Sequence, residues 1–201
     1  MRLILSIVLC LLMTACFTAG KRGGEQSLAI YDLGILERSA DQLPRAQPMA
    51  LEVRAPLWFD SMGIEYRLAY ADKARLREYG RARLAGPPAQ LIQQRLVQKL
   101  GFVPHGQSRA RCVLRVDVTE FSQVFATPDV SRALMQGRLQ WLDRNRARIA
   151  EREINLTSDS PSADARGGVA ALSGTVEQLT ATIMNWEAEL AASGQLKVCG
   201  V

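Results

Sequence analysis

Residues 168–190 read GVAALSGTVEQLTATIMNWEAEL, and within them Val169, Leu172, Val176, Leu179, Ile183, Trp186 and Leu190 recur at alternating steps of three and four. That recurrence draws a single apolar stripe along a helix, so the spacing predicts a long helix over about 165–192 with one buried face. Such a stripe must cover a second layer, and the preceding chain is patterned as strand. Ile64, Tyr66, Leu68 and Tyr70 share one face at period two, with Glu65 and Arg67 on the other. Cys112, Leu114, Val116 and Val118 alternate with Val113, Arg115, Asp117 and Thr119 in a strand over Arg111–Val124. Ser131–Leu142 and Arg148–Thr157 flank Asp143-Arg144-Asn145-Arg146 and read as a hairpin. Shorter strands are expected around Ser27–Gly34, at Ala50–Ala55 where Pro56 stops it, and within Arg75–Leu84. Pro87-Pro88 opens a second helix, because proline in the first turn has no amide hydrogen to lose. Ala89, Ile92, Leu96 and Leu100 line one side of it, and Gly101 ends it. The order of elements describes an α+β fold: one domain, a largely antiparallel sheet packed by two helices at about 88–100 and 165–192.

The composition agrees with one globular domain. Of 201 residues, 48% are hydrophobic and 22% charged, and there are 25 Lys and Arg against 20 Asp and Glu. Those proportions exclude fibrous, disordered and multi-span membrane classes. The basic residues are scattered among acids, which argues against nucleic-acid binding. His105 is the one histidine, so multi-histidine metal sites are excluded and no metal or cofactor is expected. Catalysis would have to rest on His105, which sits in the turn Pro104-His105-Gly106-Gln107, or on a carboxylate pair such as Asp117 and Glu120. Three residues apart on a strand, those carboxylates are expected on opposite faces, and the chain is read as a non-enzyme.

The amino terminus carries a basic residue, Arg2, and then Leu3-Ile4-Leu5-Ser6-Ile7-Val8-Leu9-Cys10-Leu11-Leu12-Met13, a length that suits the apolar core of a secretory signal. Thr14-Ala15-Cys16 places small residues before a cysteine, as in a lipobox, where the thiol takes the diacylglyceryl group. Residues 1–15 are therefore expected to be a lipoprotein signal and Cys16 the lipidated first residue of the mature chain. An uncleaved membrane anchor over Leu3–Ala19 is the competing reading. Phe17 stands where an inner-membrane retention aspartate would be, so the expected location is the outer membrane, with the domain facing the periplasm. The polar stretch Lys21–Gln26, with Gly23-Gly24, reads as the tether, so that 16–26 would link the lipid to a domain over 27–201. Loss of residues 1–15 removes only Arg2 from the basic set, which leaves 24 basic against 20 acidic residues, a net charge of +4.

Cys10 leaves with the signal and Cys16 takes lipid, so Cys112 and Cys199 remain in an oxidising compartment and form a candidate disulfide. Both are expected in strand-like surroundings. Trp58 and Phe59 lie in a proline-bounded segment before the strand at 64–70, where both are not expected to point inward. One of them is expected to contact a partner or a neighbouring copy, while Tyr66 is expected in the core.

The lipobox ending at Cys16, the strand Ile30-Tyr31-Asp32-Leu33, the segment Leu57-Trp58-Phe59-Asp60 with Ile64-Glu65-Tyr66-Arg67-Leu68, the run from Tyr79-Gly80-Arg81-Ala82-Arg83-Leu84 to Pro87-Pro88, the following Arg95-Leu96 and the closing helix around Trp186 come in a familiar order. In these pieces, spanning nearly the whole chain, the sequence resembles the PqiC-like ABC-type transport auxiliary lipoproteins. Leu84 departs from the family pattern, which has tryptophan after the arginine at this point. The resemblance implies a lipid-anchored, non-catalytic component of an MCE-type intermembrane transport system. Its partners would be an MCE-domain protein and inner-membrane ABC transporter subunits, and its cargo lipids or other hydrophobic molecules. A structural envelope lipoprotein that binds peptidoglycan or an assembly complex is the alternative.

Overall fold

The strand expected over Arg111–Val124 forms the axis of the sheet, as β6 (Val113–Phe125). The computed structural model describes residues 27–35, 45, 47–104, 106 and 110–200. Cys16, the signal, the tether and His105 lie outside these residues. One edge of β6 is paired along its length by β7 (Ser131–Leu142), which in turn pairs β8 (Arg148–Asp159), both antiparallel. The hairpin turn is held by the Asp143 carboxylate, which accepts from the amides of Asn145 and Ala147.

The opposite edge of β6 is shared. β2 (Ala50–Arg54) pairs in parallel with its first half, from Ala50 opposite Val113 to Arg54 opposite Asp117. β3 (Gly63–Leu68) pairs in parallel with its last residues, from Tyr66 opposite Gln123 to Leu68 opposite Phe125. Two strands thus follow one another along a single edge, separated by Ala55–Met62. β5 (Val103–Pro104) extends the sheet beyond β2, and β4 (Lys73–Leu84) and then β1 (Ala29–Tyr31) extend it beyond β3. The longest ladders are antiparallel, as expected. The short parallel pairings of β1, β2, β3 and β5 are an addition that alternation alone does not announce.

Several expected elements differ in extent, among them the strand around Ser27–Gly34, which is only Ala29–Tyr31. The strand at 64–70 ends at Leu68 and gives way to a single helical turn, α1 (Ala69–Asp72), which leaves Tyr70 exposed. The short strand expected within Arg75–Leu84 is a twelve-residue strand. Cys199 lies in a 3-10 turn, Lys197–Cys199, and not in a strand.

Both helices lie where the spacing places them. α2 (Pro88–Leu100) starts after Pro87 and ends at Gly101, whose φ of 64° suits glycine and whose amide donates to the Val97 carbonyl. α3 (Ala165–Ala192) is capped by Asp164, whose carboxylate accepts from the Gly167 amide at 2.8 Å. Every residue of the seven-membered stripe is buried, because α3 lies along β6, β7 and β8 while α2 packs on β2 and α3. Leu51, Ile92, Leu96, Leu114, Leu139 and Leu179 meet in the core between the layers. Cys112, just before β6, is joined to Cys199, with 5.3 Å between Cα atoms, so the chain end is tied beneath the sheet.

The face of the sheet away from the helices carries charge. Glu52 faces Arg115 across the β2–β6 pair, Asp117 faces Arg138, and Arg138 faces Glu153. Glu52 accepts from Arg54, Arg115 and Arg146. Burial opposes ionisation of this carboxyl, but the three guanidinium bonds outweigh it and lower its pKa to about 2.

Candidate functional site

The break between β2 and β3 projects two strongly exposed apolar side chains. Pro56 has no amide hydrogen to give to a ladder, so β2 stops there. Leu57–Phe59 then make one 3-10 turn, with the Phe59 amide donating to the Pro56 carbonyl at 2.9 Å and the Asp60 amide to Leu57 at 3.0 Å. Three residues per turn aim successive side chains about 120° apart, so all three cannot be buried. Phe59 is the one that enters the core, at 2% exposure, while Leu57 is 88% and Trp58 64% exposed. Met62 is exposed beside them, and its carbonyl accepts from the Leu84 amide at 2.7 Å, which holds the returning chain against β4. Phe59 therefore leaves the list of partner contacts: it pegs the spur and Trp58 is its exposed ring. Tyr66 is half-buried and packs against the tilted ring of Tyr79 and edge-on against Phe125, at 4.7 and 5.8 Å between ring centroids.

A hollow of about 360 Å³ lies behind the spur, lined by Val53, Ala55, Leu57, Phe59 and Ala89. Through Val53 and Ala89 it continues into a groove of about 330 Å³ that runs along α2 past Val97 to Pro104. The Gln93 side-chain oxygen accepts from the Val53 amide at 3.2 Å, where β2 has run past its short neighbour β5. The floor is thus apolar and the rim is amide, with Gln90, Gln94 and Gln98 along it. Such a surface can bury an apolar or aromatic partner side chain next to hydrogen-bonding groups. Arg54 and Asp60 border the hollow, and among the described residues no second carboxylate and no histidine lines either part.

The candidate catalytic carboxylates are placed differently from expectation. A β-bulge between Val118 and Glu120 inserts Thr119 as an extra residue, which turns Asp117 and Glu120 onto the same face. They do not act together. Glu120 is held by Arg67, at 2.9 Å, and by the Ser122 hydroxyl, whereas Asp117 faces Arg54 and Arg138 across the neighbouring ladders. Among the described residues no group of three or more His, Cys, Asp or Glu side chains is placed to hold a metal ion. No helix among them is long and apolar enough to cross a membrane.

One buried acid was not singled out by its sequence context. Glu65 is 8% exposed, and its Oε2 accepts no hydrogen bond among the described residues. Burial first, and then the carboxylates of Glu120 and Glu78, push its pKa up to about 7, against the pull of Arg67. The fold therefore holds this proton more tightly than the unfolded chain, whose carboxyl has the ordinary value of 4.5. The associated stability is present below about pH 4.5 and is lost as pH rises through about 7. Glu65→Gln is expected to flatten that decline and to be more stable than the parent at pH 8. Urea midpoints at pH 5 and pH 8 measure it, and an identical pH dependence in both proteins would remove Glu65 as the cause.

No protein-family model and no curated protein matches this chain by sequence. Its fold is found among solved structures. A Xanthomonas campestris protein of the family DUF330 superposes with a TM-score of 0.67 at 20% identity, over 84% of this chain and 98% of its own. This chain has a DUF330-like fold. The crystal structure of a second, uncharacterized protein superposes with a TM-score of 0.62 at 15% identity, over 78% of this chain and 96% of its own. Each neighbour is covered almost completely, so the likeness extends over the whole domain and not one motif.

Proposed function

We propose that this chain is a non-catalytic, lipid-anchored subunit of an MCE-type intermembrane transport system. Cys16 would hold it at the outer membrane, and the domain would dock a periplasmic partner through Trp58. The observation that carries this reading is the spur itself. A tryptophan is held out in solvent by a turn whose next residue is locked in the core, beside an apolar groove with an amide rim. Ordering such a ring before binding lowers the entropy cost of association, and tryptophan is prominent among residues that dominate interfaces. The lipobox at Thr14-Ala15-Cys16 supports the anchor. The DUF330-like fold, which is that of the PqiC-like family, supports the transport system.

The test is affinity purification of the full chain from its own envelope in mild detergent, with identification of the proteins and lipids that accompany it. An MCE-domain protein or ABC subunit is expected with the parent chain. Trp58→Ala is expected to reduce its recovery by about tenfold or more while leaving the thermal midpoint in place, because the ring contributes little to the core. Recovery of a peptidoglycan synthase complex without MCE or ABC subunits would favour the structural envelope role. Unchanged recovery with Trp58→Ala would move the docking site elsewhere.

A further inference from the structure

Strand β4 has twelve residues, but β1 covers only Ala82, Arg83 and Leu84 on its outer side. β3 pairs on the inner side, with Arg67 opposite Leu76, Tyr66 opposite Arg77 and Glu65 opposite Glu78. Among the described residues no strand pairs with the outer side of Lys73–Gly80. The sheet face is also uncovered at one point of this stretch, since a side chain added at Gly80 would meet nothing within 4 Å.

The side chains of this edge are sorted by sign. Lys73, Arg75 and Arg77 alternate onto the face that carries Tyr66 and Tyr79, while Ala74, Leu76 and the acid Glu78 point to the other. None of the three cations enters an ion pair among the described residues, and the Arg77 Nε is buried without an acceptor. Some arginines elsewhere are matched, such as Arg67 with Glu120, Arg115 with Glu52, Arg45 with Glu187 and Arg152 with Glu189, whereas three cations in alternate positions of one strand are not. A row of like charge keeps two copies of this edge apart, which is how exposed strands avoid aggregation. The same row attracts a strand of opposite charge, because cross-strand neighbours interact directly. At the start of the strand the Ala74 amide already donates to the Asp72 carboxylate and the Ala74 carbonyl accepts from Arg67, so strand pairing would fall mainly on Arg75–Gly80. An anionic lipid surface would meet the cations but would not pair with the outward backbone groups of that stretch.

We propose that the outer edge of Lys73–Gly80 accepts an extended segment of a partner protein by strand addition. In that segment carboxylates alternate with small apolar residues, the carboxylates opposite Lys73, Arg75 and Arg77 and the apolar residues opposite Ala74 and Leu76. The backbone supplies the pairing and the charges supply the choice of partner. This surface is separate from the Trp58 spur and does not depend on its role.

The full chain in detergent micelles is titrated into a short fluorescein-labelled peptide of alternating Glu and Val, with binding read by anisotropy and by hydrogen exchange. A second peptide has the same charges but methylated amides at alternate positions, which removes pairing without removing carboxylates. The first peptide is expected to bind and to slow exchange at 73–80, and the second to lose most of that binding. Lys73→Glu with Arg75→Glu, both at exposed positions, is expected to weaken binding by about tenfold or more with an unchanged urea midpoint. Equal binding of the methylated peptide, or protection elsewhere in the chain, would overturn strand addition. So would protection of 73–80 by phosphatidylglycerol mixed into the micelles without any peptide binding, which would assign the row to a lipid surface.

Discussion

Reduction of the Cys112–Cys199 bond lowers the unfolding free energy by about 4 to 5 kcal/mol and the thermal midpoint by roughly 10 to 15 °C. The size follows from chain length. The two cysteines are 87 residues apart, and opening so long a loop returns a large conformational entropy to the unfolded chain. Local packing adds to the effect. Leu196 and Cys199 are fully buried beyond the end of α3, although the last turn of the chain has few backbone bonds of its own. Once the bond is broken, this segment is the first to leave the core, so hydrogen exchange is expected to rise earliest over 196–200. Urea unfolding with and without reductant measures the free energy, and Cys112→Ala with Cys199→Ala should match the reduced parent. Coincident curves for the oxidised and reduced protein would show that the closed loop contributes nothing.

That bond and the two helices could be read from residue order because their signals are local or follow by elimination. Pro87-Pro88 and Gly101 bracket α2, and the three-and-four spacing from Val169 to Leu190 defines the buried side of α3. The parallel pairings were illegible for a different reason. Alternation in Ala50–Arg54 or Gly63–Leu68 marks a strand and its two faces, but not the edge it joins, and both join β6 across many intervening residues. The spur was half legible. Proline at 56 and glycine at 63 mark a break between strands, yet a single 3-10 turn has no period from which to tell Trp58 from Phe59. Only the packed core shows which ring it admits. The open β4 edge is invisible in the same way, since a basic strand reads alike whether or not a neighbour covers it.

Gly137→Ala is expected to cost about 3 kcal/mol, although Gly137 shares the buried face of β7 with Met135 and Leu139, where an added methyl is ordinarily apolar packing. Gly137 lies in β7 opposite Val118, where the bulge around Thr119 brings the two backbones together. A Cβ at Gly137 would collide with the Asp117 carbonyl oxygen and come within 3.1 Å of the Val118 Cα. These are backbone atoms of the central strand, and no side-chain rotation relieves the contact. Relief requires β6 and β7 to separate or the bulge to slide. A sliding bulge exchanges the faces of the residues it passes, which would take Asp117 out of the row it shares with Glu120 and weaken the charge ladder above it. Gly80→Ala is the control, because a Cβ there meets nothing within 4 Å and its effect should stay within about 0.5 kcal/mol. Urea midpoints of the two variants, with hydrogen exchange at 117–120, test the pair. A Gly137→Ala protein as stable as Gly80→Ala, with unchanged exchange at the bulge, would mean that the ladder yields easily there. The close approach would then not be what holds Asp117 and Glu120 on one face.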